Sequence, residues 1–283
     1  MLLKAYAKIN LTLELLSKRE DGYHEVRSIL QTVDLADVLS VDHALELTLE
    51  AEVPALQLED NLVLRAARLL QRESGSSQGA RLSLKKQIPI TAGLGGGSSD
   101  AAATLVGLNA LWGLGFDLER LSGIAAQLGS DVPFFIRGGT ALVEGRGEMI
   151  TSLPDPPEAW LVLACLPFQM PEKTAELYKA VYPAMFTRGE YTRFLAAEIA
   201  GGQRVSPLNL RNAFEGLAYV TFPGLREFYQ EFERAGAAGI RLSGAGPALF
   251  SMVEGPDQGR ELLQRCDRRG LPAYLVKTVP RYV

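Results

Sequence analysis

The residues from Ala92 to Asp100 read AGLGGGSSD, four glycines and two serines set between an alternating strand and an alanine-rich helix. Residues of these types hold phosphate. Without a Cβ, glycine lets backbone N–H groups turn toward an anion and lets the anion come close to the chain. Ser98 or Ser99 is expected to cap a helix beginning near Asp100, whose N-terminus carries unpaired N–H groups and a partial positive charge. A Gly/Ser stretch is more often a flexible connector, yet a connector has no reason to be bracketed by Pro89 and a capped helix. Neither common phosphate fingerprint fits: no lysine stands where a Walker loop needs one, and no G-x-G-x-x-G opens a chain-initial βαβ unit. The loop is a third kind, and its cation must come from elsewhere, with Lys8 on the first strand the expected source.

Phosphoryl transfer also needs a group that orients or deprotonates the attacking hydroxyl. Asp131, in GSDVPFF, is the candidate; the adjacent proline and phenylalanines place its carboxylate beside apolar, buried surface. Burial raises a carboxylate pKa and a nearby cation lowers it, so a cationic partner is expected, and Lys8 is the choice. Tyr23 and His24 offer a flat π face and a ring that donates or accepts hydrogen bonds, which suits a planar ligand. Ser243 to Pro247 form a second glycine-rich turn. Taken alone, each has an ordinary use: a cap or turn aspartate, a solvated strand lysine, an exposed hairpin tip, a plain hairpin. Sequence spacing does not show that Lys8 and Asp131 meet.

The elements that must position these groups follow from periodicity. Leu3, Ala5, Ala7, Ile9, Leu11, Leu13 and Leu15 alternate with Lys4, Tyr6, Lys8, Asn10, Thr12 and Glu14, so Lys8 and Asn10 point the same way from a first strand. Asp21-Gly22 is a turn signal leading into a second strand, Glu25 to Val33, with Tyr23 and His24 at the tip. Further strand-like sequence covers Val38 to Leu49, then a helix Asn61 to Gln71, the strand around Leu82 and Leu84, the loop and its helix. A helix from Asp117 to Leu128 is expected to stop at Gly129. Gly138-Gly139 turn into one more strand, and Pro154 to Pro157 reads as a domain boundary. Beyond it come a strand Trp160 to Leu166, helices at Lys173 to Val181, Asn209 to Tyr219 and Gly224 to Ala235, and strands at Gly239 to Leu242 and Ala248 to Val253. A helix Gln258 to Arg269 and a strand Ala273 to Val279 end the chain. Phe186 to Val205 shows no period. Helices mixed with antiparallel strands indicate α+β rather than a doubly wound sheet.

Length and composition suit one large or two medium domains: 283 residues, of which 47% are hydrophobic. A net charge of -4 and a pI near 5.4 argue against nucleic acid as a partner, so any anion is held locally. Cys165 and Cys266 read as buried free thiols in a reducing compartment. No segment is long enough for a membrane span and the N-terminus is no signal peptide, which makes cytoplasmic residence the expectation. No His/Cys cluster has metal-ligand spacing, and the sequence does not choose between monomer and homodimer.

Three stretches together, AKINL (Ala7 to Leu11), PITAGLGGGSSDAAA (Pro89 to Ala103) and LSGAGPALF (Leu242 to Phe250), resemble the GHMP kinase superfamily. DGYHEV (Asp21 to Val26), GSDVPFF and TAELY (Thr174 to Tyr178) narrow the likeness to its branch with a cytidine-bearing acceptor; a mevalonate or homoserine kinase would share the glycine loop without the Tyr-His pair. The resemblance implies an N-terminal ATP-binding domain, 1–153, like ribosomal protein S5 domain 2 and containing a left-handed crossover, and a ferredoxin-like C-terminal domain, 158–283, with the site between them. It implies ATP-dependent phosphorylation of the 2-hydroxyl of a cytidine diphosphate-linked methylerythritol, in non-mevalonate isoprenoid precursor synthesis. Carried over, Asp131 is the base and Lys8 its cationic neighbour, while Asn10, Gly244 and Gly246 help to hold the acceptor. Tyr23 and Tyr178 stack on cytosine and His24 bonds its edge. Pro89, Ile90, Thr91, Ala92, Gly93, Leu94, Gly95, Gly96, Gly97, Ser98 and Ser99 wrap the ATP phosphates, with Asn61 and Lys86 on the adenine side. Mg²⁺ is expected with the nucleotide, without an identified acidic ligand. Ala245 and Pro247 depart from the small polar residues usual in the third motif, leaving mainly backbone N–H groups there. Alternatives are a kinase for another small alcohol and a non-catalytic nucleotide-binding regulator, with a Rossmann oxidoreductase a distant third.

Overall fold

The first strand is covered on both sides, its polar face included. A computed structural model describes residues 1–52, 60–167 and 173–281. In it β1 (Leu2–Lys18) is buried on both faces from Ala7 to Leu13. It pairs antiparallel with β2 (His24–Ala44), and the free edge of β2 is long enough for two further strands. Its first part takes β5 (Thr140–Gly145), which carries β6 (Met149–Ser152); its last part takes β4 (Gly79–Lys85), which pairs parallel with β3 (Leu47–Ala51). On the other edge, two residues from the second half of the chain, β8 (Arg211–Asn212), pair parallel with β1 and complete seven strands. A second, four-stranded antiparallel sheet runs in the order β11 (Ala273–Lys277), β7 (Trp160–Cys165), β10 (Ala248–Val253), β9 (Arg241–Leu242).

Helices α1 (Leu62–Ser74), α2 (Gly96–Leu111), α3 (Leu118–Ala125) and α4 (Val132–Arg137) cover one face of the first sheet. The opposite face packs on the second sheet through Ala7, Ile9, Ile29 and Val33 against Leu161, Leu163, Phe250 and Val276, with Leu195 and Ile199 of α6 (Glu190–Ala200) joining them. Helices α5 (Lys173–Lys179), α7 (Glu215–Thr221), α8 (Leu225–Arg234) and α9 (Pro256–Asp267) complete the second half. Burying each large apolar side chain here contributes about 1.5–3 kcal/mol, so β1, shared by both interfaces, is the part of the chain on which most of the fold depends. Cys165 and Cys266 are buried free thiols as expected, and burial pushes Cys165 up to about 12. Among the described residues no helix is long and apolar enough to cross a membrane.

Several expectations need correction. The second and third strands expected at Glu25 to Val33 and Val38 to Leu49 are one strand, β2, followed by the short β3. Asp34, which interrupts the alternation, sits in a bulge where the register steps from Tyr6↔Ala36 to Ala7↔Val33, and its carboxylate accepts from Lys277 N at 2.9 Å. The loop helix begins at Gly96, not Asp100; Gly95 in the left-handed region (φ 71) is its N-cap and no serine side chain caps it. Helix α3 ends at Ala125, short of Gly129, because the chain tightens through Gln127 N to Ile124 O and Leu128 N to Ala125 O. The helix expected from Asn209 is β8 followed by α7, since the Asn212 side chain accepts from Phe214 N and donates to Leu242 and Gly244 carbonyls, breaking the helix and bonding to the second glycine turn.

Candidate active site

The glycine loop is pinned on both flanks by main-chain bonds. Lys8 N donates to Leu94 O (2.9 Å), and Ala248 N donates to Ala92 O (3.0 Å). The three stretches that are distant in sequence therefore meet, and the glycines make the approach possible. A Cβ on Gly93 (φ 84) would lie 2.6 Å from Ser243 O, and one on Gly244 (φ 56) would lie 3.1 Å from Lys8 Nζ. Gly246 donates its N–H to Ser243 O and its Cβ position faces Leu242, so it shapes the turn and does not line the cleft that contains Lys8, Asn10 and Asp131. Starting α2 inside the loop leaves the first-turn N–H groups of Gly96, Gly97 and Ser98 without a carbonyl one turn back. They border a cleft of about 340 Å³ lined by Pro89 to Ser98, Asn61, Lys86 and Asp100. Ser99 is buried in the helix and does not line it.

Gly95 links this loop to Phe135 and to the Lys8 side chain. A Cβ there would fall 2.7 Å from the Phe135 ring and 3.1 Å from Lys8 Cγ. Together with the positive φ, that overlap predicts that Gly95→Ala costs about 2 kcal/mol or more, visible as a lower urea midpoint, and that nucleotide affinity falls with it; an unchanged midpoint would contradict this packing.

Three charged groups at the base of the cleft are spent on one another. Lys86 Nζ donates to Asp100 Oδ2 (2.7 Å) and to Asp37, whose other oxygen accepts from Ile88 N at 2.8 Å. Burial, partly offset by Lys86 and reinforced by Asp37, raises Asp100 to about 7. Asn61 caps α1, accepting from Val63 N at 2.8 Å, while its residue still borders the cleft. Among the described residues, no three His, Cys, Asp or Glu are placed to hold a metal.

Beyond the loop lies a second cleft, about 400 Å³, containing Lys8, Asn10 and Asp131. Lys8 is buried; its Nζ donates to Asn10 Oδ1 (2.8 Å) and lies 3.7 Å from Asp131 Oδ2. Asn10 is oriented in turn by donating to Ser28 Oγ (2.8 Å). Lys8 and Asp131 thus do meet. Asp131, expected beside buried apolar surface, is instead 39% exposed in its side chain and makes no cap hydrogen bond at the start of α4. The apolar residues after it turn inward, which leaves the carboxylate facing the cleft. A third cleft, about 680 Å³, shares Asp131 and is walled by Tyr23, His24 and Tyr178. Tyr23 is exposed at the hairpin tip, whereas His24 is buried and stacks on Tyr178 with ring centroids 5.2 Å apart. Burial, with a smaller push from Lys18, lowers the His24 pKa, and burial beside Asp131 raises Tyr178 to about 12.

Two cations at these clefts were not visible in the pattern. Arg146 lines both the second and the third cleft, and its guanidinium lies 4.9 Å from the Tyr23 ring centroid. Lys173, the first residue of α5, reaches the reaction cleft from the second half of the chain. An Arg between two glycines was the available signal for the first.

Residues 61–139 match the GHMP kinases N terminal domain and residues 198–272 the GHMP kinases C terminal domain. A 4-diphosphocytidyl-2-C-methyl-D-erythritol kinase of Dehalococcoides mccartyi is 43% identical over 278 residues, 98% of each chain. The chain belongs to the 4-diphosphocytidyl-2-C-methyl-D-erythritol kinase family of GHMP kinases. The crystal structure of a 4-(cytidine 5'-diphospho)-2C-methyl-D-erythritol kinase superposes on this kinase with a TM-score of 0.84 at 35% identity, covering 98% of this chain and 99% of that one. A homoserine kinase from Cytophaga hutchinsonii shares the fold at a TM-score of 0.70 and 17% identity, covering 99% of this chain and 95% of its own. As a GHMP kinase, this protein is a small-molecule kinase of mixed α/β fold with two sheets.

Proposed function

We propose that the protein transfers the γ-phosphoryl group of ATP to the 2-hydroxyl of 4-diphosphocytidyl-2-C-methyl-D-erythritol. The observation that carries this reading is the placement of Asp131, which lines both the cleft of Lys8 and the glycine loop and the cleft of Tyr23, His24 and Tyr178. A ring-bearing acceptor seated between the aromatic residues would bring a hydroxyl some distance away to the carboxylate. Lys8 holds that carboxylate in place, Asn10 fixes Lys8, and Asp131 accepts or orients the hydroxyl proton. His24 and Tyr178, already stacked, need little ordering to receive a planar base. Bound ATP supplies the phosphoryl group, and the loop N–H groups with the N-terminus of α2 hold its phosphates. Magnesium accompanying the nucleotide would be held by phosphate oxygens and water, and no step is assigned to it.

A homoserine or mevalonate kinase would have no use for the aromatic cleft, and a non-catalytic regulator none for the Lys8–Asp131 pair. The test is ATP consumption by the purified protein with Mg²⁺ and each of three acceptors: the cytidylylated methylerythritol, homoserine and mevalonate. Turnover is expected with the first, at least a hundredfold above the other two. Equal turnover of mevalonate or homoserine, or no turnover of the cytidylylated acceptor, would overturn the reading.

A further inference from the structure

We propose that Lys173 supplies the cation that the glycine loop lacks, binding the terminal phosphate of the donor nucleotide where the nucleotide and reaction clefts meet. The inference rests on the reading of the loop as a nucleotide site. Thr91, Gly93 and Gly95 each line both clefts, so the loop is the boundary that a transferred group must cross. The Lys173 ammonium lies at that boundary and donates to the carbonyls of Thr91 and Gly246, one on the glycine loop and one on the second glycine turn. An ammonium has three donors, and two are used here.

Two observations say that this charge is not simply structural. Both acceptors are neutral carbonyls, and no carboxylate among the described residues lies within ion-pair distance of Lys173. It shares the reaction cleft with Lys8, and burial followed by repulsion from Lys8 lowers its pKa to about 8. A desolvated cation with no carboxylate partner among the described residues, beside a loop whose first-turn N–H groups lack a carbonyl one turn back, is stabilised when an anion arrives. Thr91 holds a positive φ (59), the one such non-glycine residue among those described, and its carbonyl is what Lys173 grips. The lysine therefore also holds the loop in its anion-accepting shape.

The two roles separate with pH. A neutral amine still donates to both carbonyls, so a purely structural tie survives deprotonation, whereas phosphate binding through charge does not. The groups facing Lys173 are Lys8 and Asn10 from β1, Asp131 before α4, Arg146 in the turn between β5 and β6, and Tyr178 on its own helix. Asp100, behind the loop and near 7, titrates in the neighbouring cleft. Comparison with a Lys173→Met variant removes contributions from all of these. Equilibrium binding of a non-hydrolysable ATP analogue and of ADP, with Mg²⁺ present, is measured by calorimetry between pH 7 and pH 9. The wild type is expected to lose about tenfold in analogue affinity across this range, with a smaller loss for ADP. Lys173→Met is expected to bind the analogue about tenfold more weakly at pH 7 and to show no such pH dependence, and Lys173→Arg to restore the affinity at pH 9. Pulse acetylation at pH 8 read by mass spectrometry is expected to modify Lys173 rapidly, with protection by the analogue. Analogue binding by the wild type that does not change with pH, or binding by Lys173→Met equal to the wild type, would sink the proposal. Failure of the wild type to bind the analogue at any pH would instead sink the nucleotide reading beneath it.

Discussion

Asp131→Asn is expected to lower kcat by about three orders of magnitude while leaving ATP affinity within about twofold. The asymmetry follows from where the side chain sits. Asp131 lines the reaction and aromatic clefts but not the nucleotide cleft, so the donor should bind as before. Asparagine keeps the shape of the carboxylate and loses its ability to take a proton. It also removes the negative charge that faces Lys8, 3.7 Å away, so the buried ammonium keeps only neutral acceptors. Stability should change little, because Asp131 makes no side-chain cap bond, its own side chain is exposed, and the asparagine oxygen still faces Lys8. Steady-state kinetics with a parallel calorimetric titration of ATP separates the effects. A kcat within tenfold of wild type would remove Asp131 from the base role. A loose transition state would still need the carboxylate to orient the hydroxyl, and a loss nearer two orders would mark orientation rather than proton abstraction as its contribution.

The parts of the site that repeat a local pattern were legible in the sequence, and those that depend on distant contacts were not. The first strand was readable because alternation alone places Lys8 and Asn10 on one side, and their hydrogen bond follows from that geometry. The loop was readable because glycine is required there for contact reasons: its Cβ positions fall on Ser243, Gly246 and Phe135. Helix α4 escaped notice because all but the last of its six residues are buried, so it has no polar face and no period. In α6 the inward stripe is Thr192, Leu195 and Ile199; the first looks polar, yet its hydroxyl and N–H are met by Thr12 and Glu14 of the first strand. The two-residue β8 has no pattern at all and is held by the Asn212 side chain. The helix start was misplaced for a related reason. A serine is the usual N-cap, but here a left-handed glycine turns the chain and the serines are carried into the helix, which leaves the first-turn N–H groups of Gly96, Gly97 and Ser98 open instead. Lys86 was expected at the adenine and does border that cleft, but its charge is taken by Asp37 and Asp100, a pairing across about fifty residues of sequence that no local rule reports.

Lys8→Met should produce the second large loss, a fall in kcat of about a hundredfold or more, and it should do so through Asp131. Lys8 is buried and touches three parts of the site at once. Its backbone N–H holds Leu94 of the glycine loop, its ammonium donates to Asn10, and the same ammonium faces Asp131. Methionine keeps the backbone bond and most of the volume, so the loop stays anchored and Gly95 still packs on the side-chain stem. What disappears is the charge. Asn10 Oδ1 is left buried without its donor, at a cost of about 1–3 kcal/mol in stability, and the Asp131 carboxylate loses the cation that fixes its direction. Arginine is not expected to rescue the loss, because Gly244 backs onto Nζ closely enough that a Cβ there would lie 3.1 Å away, leaving no room for a guanidinium. The decisive measurement is the double variant. If Lys8 acts by holding Asp131, Lys8→Met combined with Asp131→Asn should be about as slow as Asp131→Asn alone, since the second change removes what the first one serves. Losses that multiply in full would show that Lys8 works on the reacting phosphoryl group independently of the carboxylate, and the role of the pair would have to be divided between its members.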